Sequence, residues 1–197
     1  MKKIVVLLLS LLVLPACRKH ESFEQPPVPR KEKSKHVVID DKVIDAGEYY
    51  AIIDPVWWTG EIHEGFKEYE TSLSKFSKPQ RLLFAIAWYE AEVNNGGHDQ
   101  FFMNSTGIVW KDALEGFVAV GAVERANILK EAAKRMGGNP SLDRDERSDQ
   151  MDKFSPDFED LDSKFYELKD EFEEKVNKYI KEHRKDFYFE GVVTKPD

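Results

Sequence analysis

The sequence predicts an all-α fold: one multi-helix domain with a long C-terminal helix, preceded by a signal peptide and a disordered tether. Three observations carry this reading. Ser77-Lys78-Pro79-Gln80 has the chemistry of a helix start, with a Ser cap, Pro in the first turn and Gln three residues on to close a capping box. Leu82, Ile86, Tyr89 and Val93 then recur on one helical face. Far downstream, Phe158, Leu161, Phe165, Leu168, Phe172, Val176 and Tyr179 form a stripe at alternating spacings of three and four.

The elements follow in chain order. Residues 59–76 are a helix candidate weakened by Gly60 and Gly65. The helix that starts at Ser77 ends at Asn94-Asn95-Gly96-Gly97, because Asn and Gly accept the left-handed conformation of a C-cap. A short helix carries His98 to Met103, a third runs from 109 to 120, and a fourth from 123 to 136 ends at Gly137-Gly138-Asn139-Pro140. The charged segment 141–153 reads as a loop. Ser155-Pro156-Asp157 opens the long C-terminal helix, whose other faces carry Glu159, Asp160, Asp162, Glu167, Asp170, Glu171, Glu173 and Glu174.

The N-terminus has a different composition. Lys2 and Lys3 precede an apolar run, Ile4 to Leu14, that is too short for a membrane span of ~20 residues but has the length of a signal-peptide core. Leu14-Pro15-Ala16-Cys17 follows and resembles the bacterial lipobox, with Pro15 less usual at its place. That resemblance implies a diacylglyceryl group on the Cys17 thiol, further acylation of the palmitate type, and cleavage after residue 16. Cys17 is the only cysteine, so lipid on it leaves no thiol for disulfides, metal or catalysis. The sequence therefore divides into a signal peptide (1–16), a lipidated Cys and tether (17–42) with Pro26, Pro27 and Pro29, and a helical domain (43–189). Residues 36–44 are read as a short strand or irregular chain. Arg18, rather than Asp, after the cysteine favours the outer membrane, with the domain in the periplasm.

Loss of Lys2 and Lys3 with the signal takes the formal charge from −8 to −10. Such a surface disfavours nucleic acid, whose phosphates need Lys and Arg to displace counterions, and suits either a basic protein partner or simple solubility, with an acidic face that mainly keeps the domain soluble as the plainer reading. The acids of the C-terminal helix are interleaved with Lys164, Lys169 and Lys175, which pair with acids three or four residues away and damp the field. The Phe/Leu stripe packs on the domain or pairs with a second copy as a homodimer.

The densest signal is Glu92, Asn94, Asn95, Gly96, Gly97, His98 and Gln100, followed by Asn104, Ser105, Thr106 and Gly107. It describes a helix end, a double-glycine break and a second break. Polar side chains at such a corner satisfy free backbone groups of helix ends, so the motif reads as structural and as a possible contact site. Glu90, Glu92, His98 and Asp99 also have the residue types of an acid/base or metal site. The glycine pair splits them, and His20, His36, His63 and His183 are scattered, unlike the four-residue spacing of zinc helices. No catalytic residue, metal or cofactor is assigned; a weak enzyme around Glu90 and His98 is the alternative. Asn104-Ser105-Thr106 matches a glycosylation acceptor, which a bacterial lipoprotein has no use for. Trp57, Trp58, Trp88 and Trp110 are either core or a carbohydrate platform.

The runs EVNNGGHDQFFMNSTG and DALEGFVAVGAVERANILKEAAKRMGG resemble the C-terminal domain of the bacterial DNA-mimic protein family, over residues 72–138, with a fainter echo at Pro55-Val56-Trp57-Trp58. The resemblance implies an all-α fold. It also brings a function class: an acidic, dimeric, cytoplasmic relative displays carboxylates in place of DNA phosphates and occupies a DNA-binding protein. The lipobox departs from that relative, because an exported chain does not meet cytoplasmic DNA-binding proteins. The reading that results is an envelope lipoprotein with a non-enzymatic binding or structural domain. Its alternative is an acidic decoy or immunity-type inhibitor of a basic protein.

Overall fold

The computed structural model describes residues 34–169 and 171–194. The signal peptide, Cys17 and the tether up to residue 33 lie outside the described residues. Two strands, β1 (Ser34–Ile39) and β2 (Phe189–Thr194), pair antiparallel with Ser34 opposite Thr194 and Ile39 opposite Phe189. Between them run α1 (Asp41–Ala46), α2 (Tyr49–Trp57), α3 (Phe66–Leu73), α4 (Lys78–Met103), a 3-10 turn (Ser105–Val109), α5 (Trp110–Ala119), α6 (Val123–Arg135), α7 (Arg144–Phe154), α8 (Glu159–Tyr166) and α9 (Phe172–Glu182). A second 3-10 turn, Arg184–Phe187, leads into β2. The all-α expectation holds, with the small ribbon as an addition.

α4 is the axis of the domain, and α2, α5, α7 and α8 pack around it. It starts as its sequence dictates: the Ser77 hydroxyl accepts from the Gln80 amide, and Gln80 Oε1 accepts from the Ser77 amide at 2.9 Å. Leu82, Ile86, Tyr89 and Val93 are all buried, as are Phe101 and Phe102 in its last turn. The C-terminal stripe also turns inward. Phe158, Leu161, Phe165, Val176 and Tyr179 are buried, while Leu168 and Phe172 are half-buried against the same core. Packing on the domain therefore consumes the face that a second copy would have used.

Four expectations are corrected. The long C-terminal helix is two helices, broken at residues 167–171 without any Gly or Pro. Tertiary anchors impose the break: the Tyr166 hydroxyl donates to the Val93 carbonyl at 2.6 Å and fixes α8 on α4, whereas α9 packs against α1 and α2. Residues 141–153 are not a loop, since 144–154 form α7, capped by Asp143 Oδ1 on the Glu146 amide at 3.0 Å. The helix expected over 59–76 shrinks to α3, because Gly65 at its N-cap has φ +98°. Residues 36–44 are neither one strand nor irregular: β1 ends at Ile39, and α1 takes over from Asp41, capped by Asp40 Oδ1 on the Val43 amide at 3.1 Å.

One buried cation holds α7 in place. Arg147 is fully buried and finds no carboxylate. Its Nε donates to the Phe102 carbonyl at 2.7 Å, Nη2 to Asn104 O at 2.7 Å, and Nη1 to Ser141 O at 2.7 Å and Asp143 O at 3.4 Å. The Phe102 and Asn104 carbonyls lie at the C-terminal end of α4, where the helix dipole favours a positive charge, and Asn104 O accepts from the Gly107 amide at 3.1 Å as well. Burial lowers the Arg147 pKa to about 10, which still leaves the guanidinium charged at neutral pH. Gly107 makes room for it: a Cβ there would sit 2.6 Å from Arg147 Nε and 2.7 Å from the Phe101 carbonyl.

Arg147→Met keeps much of the volume but removes the guanidinium donors to these carbonyls, of which Asn104 O and Asp143 O keep a backbone donor. A loss of about 3 kcal/mol or more is expected in urea unfolding. Arg147→Lys, which restores the charge but not the fork, should fall between the two. Wild-type stability of the Met variant would remove Arg147 from this role.

Candidate functional site

The motif of residues 92–107 occupies the bend and the C-terminal end of α4. The double glycine does not end the helix; it kinks it. Gly96 (φ −160°) is extended and Gly97 (φ +73°) is left-handed, after which the helix resumes in a new direction. A Cβ on Gly97 would collide with the Asp162 carboxylate, so the position requires glycine for both backbone and space.

The bend frees backbone groups, and the side chains around it take them up. Asp162 Oδ1, on α8, accepts from the His98 amide at 2.9 Å and from His98 Nδ1 at 2.5 Å. The other ring nitrogen, Nε2, lies 2.7 Å from the Tyr89 hydroxyl. With the Nδ1 proton given to the carboxylate, Nε2 is the acceptor and Tyr89 the donor. Burial raises the Tyr89 pKa well above 10, so the phenol keeps its proton. Burial also holds the His98 pKa below 6.5, outweighing the opposite pull of Asp162.

A second hub lies one turn away. The buried Glu92 carboxylate accepts from Gln100 Nε2 at 2.7 Å, Asn104 Nδ2 at 2.9 Å and Thr106 Oγ1 at 2.9 Å. Gln100 in turn accepts from Asn95 Nδ2 at 2.9 Å, and Asn94 Nδ2 donates to the Glu90 carbonyl at 2.7 Å. Ser105 heads the 3-10 turn and lines a groove of about 310 Å³ with His63, Phe66 and Arg144. The predicted motif residues are thus brought together, but mostly to bond one another and the backbone.

Glu90 and His98 serve different partners. Glu90 holds Arg125 Nη1 through both oxygens at 2.6 and 2.7 Å, and that guanidinium stacks over Phe172 at 4.4 Å. His98 belongs to the Asp162–Tyr89 chain. An Asp–His–hydroxyl series has the connectivity that activates nucleophiles, but here both the hydroxyl and the imidazole are sealed in the core. Among the described residues, no group of three or more His, Cys, Asp or Glu side chains is placed to hold a metal ion. The four tryptophans do not form one platform. Trp57 and Trp88 stack at 4.5 Å, while Trp110 is buried apart with Nε1 donating to the Pro140 carbonyl at 2.9 Å.

Sequence reasoning missed three members of the web. Asp162 was grouped with the solvated acids of the C-terminal helix, and Arg147 with a loop. Tyr89 was assigned to the apolar stripe with no role for its hydroxyl. Only Arg147 had a local signal, since it follows a capping Asp143 by four residues, as a helical residue would.

The geometry defines a class: a helical domain whose densest motif builds its own core and whose exterior is acidic. The chain belongs to the DMP19-like protein family, which matches residues 74–183, more than half of its length. That span runs from just before α4 to the end of α9 and contains the whole web. The family is not an enzyme family. No curated protein and no solved structure matches the chain.

The His98 environment fixes a pH dependence. A histidine whose folded pKa lies below its unfolded 6.5 contributes no penalty above that value, and the fold loses stability as pH falls below it. Between pH 7.5 and 5.5 a loss of up to about 1.4 kcal/mol is expected, one decade of proton linkage. Urea midpoints at the two pH values test this. His98→Phe should flatten the dependence, and a wild-type midpoint unchanged across the interval would contradict the buried neutral imidazole.

Proposed function

We propose that this chain is a non-enzymatic binding protein of the bacterial cell envelope. Lipid on Cys17 holds it at the membrane, and its DMP19-like domain presents carboxylates to a basic protein partner. The observation that carries the reading is the state of the acids on α7. Asp145, Asp149 and Asp152 fall at i, i+4 and i+7, on one exposed face. The cations of the same helix are engaged elsewhere. Arg147 is buried, Arg144 Nε donates to the Met103 carbonyl at 3.1 Å, and Lys153 lies over the Phe154 ring at 5.0 Å. Among the described residues, none of the three aspartates has an ion-pair partner.

This differs from the start of α8, where the acid Asp160 is paired on two sides. There Asp160 is held by Arg135 at 2.5 Å and Lys164 at 3.0 Å. The α7 row spans about 10 Å at 1.5 Å per residue, so three charges fall on a length that carries about three phosphates of one DNA strand. Membership of the DMP19-like family supports a carboxylate-presenting role over a purely solubilising one. The lipobox supports a partner outside the cytoplasm, in keeping with a decoy or immunity-type inhibitor rather than a regulator of transcription. No helix among the described residues is long and apolar enough to cross a membrane.

Two outcomes are expected. Cys17→Ser should abolish acyl labelling in cells and leave an unprocessed precursor; equal labelling of both forms would exclude Cys17 as the anchor. The triple change Asp145→Asn, Asp149→Asn and Asp152→Asn should weaken binding to a defined polylysine by roughly tenfold at low salt and lose most of its effect at 1 M, where the screening length is about 3 Å. The matched change of Glu131 to Gln and Asp160 to Asn, both already paired with Arg135, should cost much less per charge. Equal losses per charge from the two sets would reduce the α7 row to general acidity.

A further inference from the structure

Ser34, the first described residue, is clamped opposite Thr194 at one end of the β1–β2 ribbon. The ribbon has two unlike faces. On the inner face Ile39 and Val193 are buried, and Val37 and Phe189 pack against the core. The outer face carries Ser34, His36 and Val38 on β1 and Glu190, Val192 and Thr194 on β2, all exposed. Val38 is 42% and Val192 62% exposed. They are diagonal neighbours across the ribbon, since Val192 lies opposite His36 and Val38 opposite Glu190. None of the described residues covers this face.

We propose that the outer face of the ribbon is the surface with which the domain rests on the bilayer. The inference depends on lipid anchoring at Cys17. Two observations select a bilayer as the occupant. The first is chain length: Cys17 lies 17 residues before Ser34, so the ribbon end is held within about 60 Å of the headgroups even at full extension. A contact too weak to bind a membrane from solution is populated when the anchor supplies it at high effective concentration.

The second observation is charge. Residues 18–35 hold six basic side chains against three acidic, a net +3, which leaves −13 for residues 36–197. An anionic bilayer attracts the basic lead-in and repels the acidic body, so the domain turns its ribbon end down. The ribbon face suits that place. It offers two branched apolar side chains with little net charge, and Tyr188, 43% exposed, adds an amphipathic ring at its margin.

The test uses the full-length lipidated chain in vesicles of phosphatidylethanolamine and phosphatidylglycerol. Val192→Cys and Val38→Cys, in a chain whose native cysteine carries lipid, accept an environment-sensitive fluorophore. Val118→Cys is the control. It is 64% exposed on α5, whose main neighbours are α4, α6 and the Ser105–Val109 turn. Lipids with a nitroxide near the headgroup should quench labels at 192 and 38 at least threefold more than the label at 118. Co-flotation of the wild type with equal quenching at all three sites would overturn the inference and leave the anchor standing. A ribbon label that is blue-shifted but not quenched would mean protein, such as a second copy, covers the face, and would also overturn it. Failure of the wild-type chain to float would remove the anchor, and the inference with it.

Discussion

A helix that bends inside a core releases backbone groups where no water can reach them, and the rest of this domain is arranged around that fact. The bend at Gly97 frees the His98 amide, and the end of α4 frees the carbonyl of Phe102. Each group left unpaired would cost about 1–3 kcal/mol. α8 brings Asp162 to the first, and α7 brings Arg147 to the second. Two helices distant in sequence are therefore fixed to α4 by the polar consequences of one kink, before their apolar contacts are counted. The charges are also complementary to their surroundings: a carboxylate meets a helix start and a guanidinium meets a helix end.

This explains why the motif is so dense in the chain and so quiet on the surface. Asn95, Gln100, Glu92, Asn104 and Thr106 form a short bonded series in which Gln100 and Glu92 each accept what the others donate. A fully paired network of this kind rigidifies and specifies one arrangement, whereas a half-paired one costs more than an apolar core. The motif identifies the fold, and the fold leaves function to other parts of the surface. The aspartates of α7, held outward by a helix whose own cations are occupied, are one such part.

The helix starts and apolar faces of this fold were legible because they are local. The capping box at Ser77, the stripe through Tyr89 and Val93, and the glycine break each act over a few residues. What escaped detection depends on pairs far apart in sequence. The partner of His98 is 64 residues away, and that of Phe102 is 45. Asp162 looks like its solvated neighbours in sequence, and only the arrival of α8 at the bend makes it a cap. The break between α8 and α9 has no local signal, because tertiary anchors override the helical propensity of Glu167 to Glu171. The same holds for α7, whose apolar face is so thin that its position depends on one buried arginine.

The ribbon closes the chain across its whole described length. β1 is the first described segment to be synthesised, yet its partner is among the last residues of the chain. All nine described helices lie between them, so bringing the strands together from an open chain carries a large loop-closure cost, which the packed helices remove by holding both ends near each other. β1 therefore acquires its partner only after residues 189–194 have emerged. Until then it presents an unsatisfied strand edge, the kind of feature that aggregation and quality control recognise. The two strands thus work as a clasp, one half made before the helices and the other half after them.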